Sequence, residues 1–318
     1  MKNKLEMVAV CSRSFSKNTY LRQRLCSRYE HVKFNDLGES LAGDQLVRFL
    51  QGYQKAIVGL ETLNESTLKQ LPNLKVVSKY GVGLDSIDLS AMETLGIKLG
   101  WKRGVNARSV AELVLASSIL LLRNLIQANH AVREGRWQQQ TGMQLSHKTV
   151  GIVGCGAIGQ DLVLLLEPFQ CTVLVYDIRD YPEFFAKHQI HRCSLDHLLR
   201  TADLISIHLP LDESTRDLFS EARLKQIKKG SILLNAARGG IVDEGALKKL
   251  LQTGQIAAAA FDVFRQEPPS DTELLNLRNF FVTPHVGGSA MEAINAMGEA
   301  AIEGLEVNVN PSKLLLSE

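Results

Sequence analysis

The chain has no C-x-x-C pair, although it holds five cysteines: Cys11, Cys26, Cys155, Cys171 and Cys193. An odd number without paired spacing argues against a disulfide framework and for a reducing, cytoplasmic setting. Charge of one sign is also missing. The net charge is +2, too small to point to nucleic acid or a membrane as main partner. No apolar run is long enough to span a bilayer. The longest, from Ala111 to Leu122, is broken by Glu112, Ser117 and Ser118 and falls short of roughly 20 residues. The N-terminal run Met7–Cys11 is too short for a signal-peptide core and suits a first strand. No internal repeat or low-complexity segment stands out, and no regulatory module is expected after residue 318. His188, His191, Cys193 and His197 lie close in sequence without a recognised zinc spacing, so no metal is expected.

What is present is a strand–helix rhythm. The 318 residues suffice for about two domains. Strand-like runs fall at Val8–Cys11, His31–Phe34, Ala56–Val58 and Val76–Tyr80. A second series follows at Val150–Val153, Val173–Tyr176, His191–Cys193, Leu204–His208, Ser231–Asn235, Ala257–Phe261 and Phe281–Thr283. Alternation with amphipathic segments predicts α/β architecture with two doubly wound parallel-sheet units. A helix over Ser109–Gly135 is expected to join them, capped by Ser109 with Glu112 as capping-box partner and stopped at Gly135. The helical tail Ser289–Gly304 has no strand of its own, so it is expected to return to the first unit. The expected domains are therefore 1–107 plus 289–318, and 108–288.

The most specific signal opens the second series. Thr149–Val153 reads as a buried strand and leads into Gly154-Cys155-Gly156-Ala157-Ile158-Gly159, then a helix. Asp177 closes the next apolar run, 23 residues beyond Gly154. This context turns a weak G-x-G-x-x-G into a dinucleotide-binding fingerprint. Gly154 permits the turn, Gly156 lets a pyrophosphate approach, and Gly159 lets the helix pack on the strand. Asp177 would accept the ribose hydroxyls and repel a 2′-phosphate, which favours NAD over NADP; nearby Arg179 weakens that preference.

Three ionisable residues follow the last strands: Arg238 in Asn235-Ala236-Ala237-Arg238-Gly239-Gly240, Glu267 before Pro268, and His285 in Thr283-Pro284-His285-Val286-Gly287-Gly288. Ligands of open α/β sheets bind outside the carboxyl ends of the strands, so all three are expected on the cofactor's side. Arginine can fork a carboxylate and polarise an adjacent carbonyl. Histidine can exchange a proton with the carbonyl oxygen, and a carboxylate on its other nitrogen fixes the tautomer.

With Ser78–Asp88, Asn106–Leu113, His208-Leu209-Pro210-Leu211 and the stretches above, the chain resembles the D-isomer-specific 2-hydroxyacid dehydrogenases. Within them it is most similar to the phosphoglycerate dehydrogenase-like branch. The resemblance covers nearly the whole chain. It implies a Rossmann cofactor domain inserted into a discontinuous, flavodoxin-like substrate domain. It implies Arg238 as substrate-binding catalytic arginine, His285 as proton donor and Glu267 as its partner. Ala157 and Ile158 would sit over the pyrophosphate, and His208, Leu209, Pro210 and Thr215 would line the adenosine side. Ala236, Ala237, Asp262, Gly287, Gly288 and Ser109 would approach the nicotinamide. Lys79, Tyr80 and the turn Gly81-Val82-Gly83 would meet the substrate, with the backbone N–H groups of the turn on its carboxylate and Lys79 on a phosphate. Lys102 and Arg103 replace a Thr-Pro or Thr-Gly pair common in relatives. The implied protein is a homodimer through the cofactor domain, with a cleft that closes on substrate. The implied substrate is a 3-phosphoglycerate-like D-2-hydroxy acid; glyoxylate, hydroxypyruvate or another 2-keto acid is the alternative. A second alternative is an NAD(H)-sensing protein that keeps the same three residues, against which the absence of long disordered tails weighs.

Overall fold

Short runs rich in Val, Ile, Leu and Ala form twelve strands in a computed structural model that describes residues 3–315. In the first unit these are β1 (Asn3–Val10), β2 (Tyr29–Phe34), β3 (Lys55–Val58), β4 (Val76–Lys79) and β5 (Lys98–Gly100). In the second they are β6 (Thr149–Val153), β7 (Thr172–Tyr176), β8 (His191–Arg192), β9 (Leu204–Ile207), β10 (Ser231–Asn235), β11 (Ile256–Phe261) and β12 (Phe280–Val282). The first unit runs to Asn106 and resumes at Met291; the second is Ala107–Ala290.

The first sheet has the order β2-β1-β3-β4-β5 and is parallel throughout. Val8 and Val10 of β1 point to one face, where Phe15, Leu21, Ala301 and Ile302 cover them. Ala9 points to the other, among Leu46, Leu50, Val77 and Met92. Burial on both faces is why these strands read as apolar runs rather than alternations. The returning helix Met291–Gly304 seals the first face, and Ser78 Oγ donates to Ala301 O across 2.6 Å. The helix comes so close that a Cβ on Gly100 would lie 2.2 Å from Gly304 O.

The second sheet has the order β12-β11-β10-β9-β6-β7-β8, again all parallel. This is the doubly wound dinucleotide-binding order, with its switch point between β6 and β9. Ala111, Val114, Leu162 and Val163 cover one face, and Leu198, Leu199, Leu247 and Leu251 the other.

Several expectations need correction. β5 carries no clear strand signal, because its three residues sit between Gly96 and Trp101. The expected helix Ser109–Gly135 is two helices, Ala107–Leu122 and Leu125–Arg133, bent by 64°. Asn124 breaks it by taking the left-handed conformation, φ +52. Ser109 is not the N-cap, since the first helix already starts at Ala107. Gly135, φ +79, does follow the end of the second helix. All five cysteines are free, and among the described residues no single helix is long and apolar enough to cross a membrane.

At the end of β9, Ser206 Oγ and His208 Nε2 are 2.8 Å apart, and His208 Nδ1 is buried without a hydrogen bond. Burial pushes the imidazole down to about 4, against about 6.5 in an unfolded chain.

Two outcomes follow for stability. Gly304→Ala puts a Cβ 2.4 Å from Ser78 Oγ and 2.9 Å from Gly100 Cα. Backbone there cannot yield, so urea unfolding should show a loss of ~1–3 kcal/mol despite alanine's better helix propensity. For His208, the folded chain prefers the neutral ring. Its contribution is complete above about 6.5 and is lost as the pH falls toward about 4. Denaturation midpoints across that window should therefore decline less steeply in His208→Gln than in the parent.

Candidate active site

β6 runs directly into Gly154, whose φ of +96 is open to glycine without strain. A Cβ there would lie 2.7 Å from His208 O, and one on Gly159 2.3 Å from Gly154 O. Both positions need bare backbone. Gly156 has the opposite surroundings, since a Cβ there would meet nothing within 4 Å. It is the N-cap of the helix Ala157–Leu166, and no side chain caps that end. Uncapped N–H groups behind an open space fit a pyrophosphate. Ala157 and Ile158 form the first turn over that space.

Asp177 follows β7. Its Oδ2 accepts the Cys155 N–H at 2.5 Å, and its Oδ1 accepts the Arg179 N–H at 2.8 Å. The carboxylate thus stands on the fingerprint turn, where a ribose-binding acid belongs. Burial and the Asp177 carboxylate push the Cys155 thiol up to about 12, so it stays a neutral, packed side chain. After β9, Leu209 packs on the core below and Pro210 is exposed. Thr215 is turned inward: Oγ1 donates to Pro210 O at 2.8 Å and accepts the Asp212 N–H at 2.8 Å. Its hydroxyl closes the loop.

β10 ends at Asn235, whose side chain builds the turn that presents Arg238. Asn235 Oδ1 accepts the Ala237 N–H at 3.1 Å and Nδ2 donates to Arg238 O at 2.9 Å. Ala237 is buried and Ala236 half-buried beside it. Arg238 Nη1 donates to Ala237 O at 2.8 Å. The next residue, Gly239, presses on the backbone after β11, and a Cβ there would lie 1.9 Å from the Phe264 carbonyl. The turn carrying Arg238 is therefore stacked on the loop that leads to Glu267.

Glu267 and His285 meet directly. Glu267 Oε1 accepts the Phe264 N–H at 3.1 Å, and Oε2 lies 2.8 Å from His285 Nδ1. A carboxylate can only accept, so Nδ1 carries the proton and Nε2 is left for chemistry. The two side chains are 40% and 50% exposed, accessible to a ligand. His285 itself has φ +54, an uncommon conformation outside glycine. Asp262, after β11, is buried and accepts from Thr283, Val286 and Gly287. Ser109 Oγ donates to Gly287 O at 2.6 Å. Gly288 follows, partly exposed. Arg238, Glu267 and His285 thus follow three neighbouring strands at their carboxyl ends.

Lys79, Tyr80 and the turn Gly81–Gly83 lie in the first unit. Lys79 is buried, with Nζ 2.5 Å from Gly59 O and 3.3 Å from Ser86 Oγ. Tyr80 packs edge-on against Phe15. In the following turn Gly81 has φ +131, and Val82 O accepts the Trp101 Nε1–H at 3.0 Å. Asn235, Gly239 and Thr283 are the supporting residues that side-chain chemistry did not single out. Asn at a strand end before two small residues is a turn signal that could have marked the first. Among the described residues, no group of three or more His, Cys, Asp or Glu is placed to hold a metal ion.

Residues 115–287 match the sequence model of a family described as "D-isomer specific 2-hydroxyacid dehydrogenase, NAD binding domain". The chain is 35% identical over 257 residues to D-3-phosphoglycerate dehydrogenase of Archaeoglobus fulgidus, covering 80% of this chain and 49% of that protein. It is 34% identical over 271 residues to hydroxypyruvate reductase of Thermotoga maritima, covering 83% and 88%. It therefore spans about half the length of the D-3-phosphoglycerate dehydrogenases it matches. Among solved structures, the pyruvate reductase of Chlamydomonas reinhardtii superposes with a TM-score of 0.80 at 28% identity, covering 98% of this chain and 97% of that one. By sequence and by fold, the chain belongs to the D-isomer specific 2-hydroxyacid dehydrogenase family.

Proposed function

We propose that this chain is an NAD-dependent oxidoreductase that interconverts a D-2-hydroxy acid and its 2-keto acid. The observation that carries the reading is the 2.8 Å bond between His285 and Glu267, on the sheet that also carries the dinucleotide cradle. Bound NAD supplies the hydride acceptor or donor. Arg238 holds the substrate carboxylate in a bidentate fork and polarises the adjacent carbonyl. His285 gives its Nε2 proton to the carbonyl oxygen in reduction and takes it back in oxidation. Glu267 holds the ring by Nδ1 and stabilises the imidazolium. Asp177 disfavours a 2′-phosphate by charge repulsion, which supports NAD over NADP. Tyr80 and the turn Gly81–Gly83 complete the proposed substrate contacts. A homodimer through the cofactor unit belongs to the same reading, supported by the exposed Val132, Trp137 and Met143. A reducing cytoplasm suits five free cysteines.

For the acid itself, the reading turns on Lys79. A 3-phosphoglycerate-like substrate rests on a cation at this strand end, and the Lys79 ammonium is engaged by Gly59 O and Ser86 Oγ. The same Gly59 donates its N–H to Glu61 Oε2 at 2.6 Å. A buried lysine engaged in this way favours the unphosphorylated acids, glyoxylate and hydroxypyruvate, over a phosphorylated one.

Steady-state assays with NADH should show faster turnover per KM for glyoxylate or hydroxypyruvate than for 3-phosphohydroxypyruvate. Preference for the phosphorylated acid would return Lys79 to phosphate binding. NADH binding without oxidation by any 2-keto acid would favour a dinucleotide-sensing protein. His285→Ala should remove turnover, by a factor of about 100 or more, while NADH fluorescence titration stays unchanged. Loss of NADH binding in a folded variant would contradict the role given to this residue.

A further inference from the structure

The strands β4 and β5 are parallel neighbours, so the loops that follow them leave the first sheet at the same edge. The loop after β4 carries the turn Gly81-Val82-Gly83, and the residue after β5 is Trp101. One bond joins them: the indole Nε1–H donates to Val82 O at 3.0 Å, across 19 residues of chain. An indole N–H can only donate, so it has one use here, to hold a carbonyl. The ring that carries this donor is itself held. It packs on the buried cluster that contains Val77, Met92 and Leu99, as Leu84 of the turn's own loop does. The Arg103 guanidinium carbon lies 5.7 Å from the ring centroid, within cation–π reach. The turn has fewer ties of its own. Gly81 sits at φ +131, and Gly81, Val82 and Gly83 are all half-buried. Among the described residues, none accepts a hydrogen bond from the N–H groups of these three. Glycine on both sides of Val82 leaves the backbone free to swing. The direction of the Val82 carbonyl is therefore set by Trp101.

We propose that Trp101 is a positioning residue: its indole N–H pins the Val82 carbonyl and thereby turns the Gly83 N–H toward the substrate carboxylate. This rests on the place given above to the turn Gly81–Gly83 among the substrate contacts. In a planar trans peptide the carbonyl and the following N–H point in opposite directions. With Val82 O drawn to the indole, the Gly83 N–H faces away from it, unpaired and available to an anion. An anion on that N–H polarises the peptide and strengthens the bond at its other end. Indole and carboxylate thus act on one peptide from its two sides. The carboxylate keeps its charge throughout hydride transfer, so the contact holds substrate and transition state alike. Losing binding of that kind raises KM and leaves kcat in place.

The test uses the full chain with Trp101→Phe, which keeps an aromatic body and removes the donor. KM for glyoxylate or hydroxypyruvate should rise about 10-fold, the scale of one lost hydrogen bond. Both kcat and NADH affinity, the latter by fluorescence titration, should change less than about threefold. Indole ¹H–¹⁵N spectra read the bond directly. The chain holds two tryptophans, so two indole signals are expected, and the one missing in Trp101→Phe belongs to Trp101. If that variant fails to fold, Trp137→Phe, at an exposed position, gives the same assignment. Oxamate, which carries the carboxylate of a 2-keto acid and is not reduced, serves as the probe with NADH bound. It should move the Trp101 Nε1 proton downfield, as a strengthened bond requires. An unchanged KM in Trp101→Phe would overturn the proposal and leave the catalytic reading standing. If kcat and NADH affinity fall in step with KM, Trp101 is a packing residue and the proposal is again wrong. A Trp101 signal that oxamate leaves unmoved contradicts it as well. If the parent reduces no 2-keto acid, the catalytic reading fails, and the oxamate titration still decides whether the peptide held by Trp101 takes a carboxylate.

Discussion

The hydrogen bond from His285 Nδ1 to Glu267 Oε2 is the contact on which the rest of the site depends. It fixes which nitrogen carries a proton and which one is left open. The bond forms because β11 and β12 are parallel neighbours whose loops leave from the same edge. Glu267 is in turn anchored by the Phe264 N–H, and His285 by the bonds of its loop to Asp262. A pair that half-faces solvent gains little from Coulomb attraction alone. What holds it is the geometry of two loops that cannot shift independently.

Small residues make that geometry possible. β11 is Ile-Ala-Ala-Ala-Ala-Phe, so β10 and the helix Ala107–Leu122 pack closely around it. Gly239 lets the turn carrying Arg238 rest on the backbone at Phe264. Gly151 does the same within β6, where a Cβ would lie 2.5 Å from Leu198 Cδ2. Close packing of this kind transmits any change of volume. The positions of Arg238, Glu267 and His285 are thus consequences of one tightly layered sheet.

Much of this was legible in the chain itself, for physical reasons that can be named. Buried parallel strands read as apolar runs, so β6, β10 and β11 stand out within a residue of their ends. The fingerprint is legible because Gly154 and Gly159 answer to backbone contacts that no side chain tolerates. Arg238, Glu267 and His285 are legible because each follows a strand end with glycine or proline nearby. What stayed hidden depends on contacts distant in sequence. The direction Lys79 takes is set by Gly59 O, twenty residues away. Ser109 looks like a helix cap, yet its hydroxyl reaches Gly287, which lies 178 residues on. β5 exists through its pairing with β4 and the approach of Gly304, neither of which its own three residues announce.

A double-mutant cycle of His285→Gln and Glu267→Gln, read as kcat/KM for 2-keto acid reduction with NADH, bears most directly on whether the two side chains act as one unit. Groups that work as a unit are strongly non-additive. The double variant should be about as slow as His285→Gln alone. If the two losses multiply instead, the imidazole and the carboxylate act separately, and the central claim is wrong.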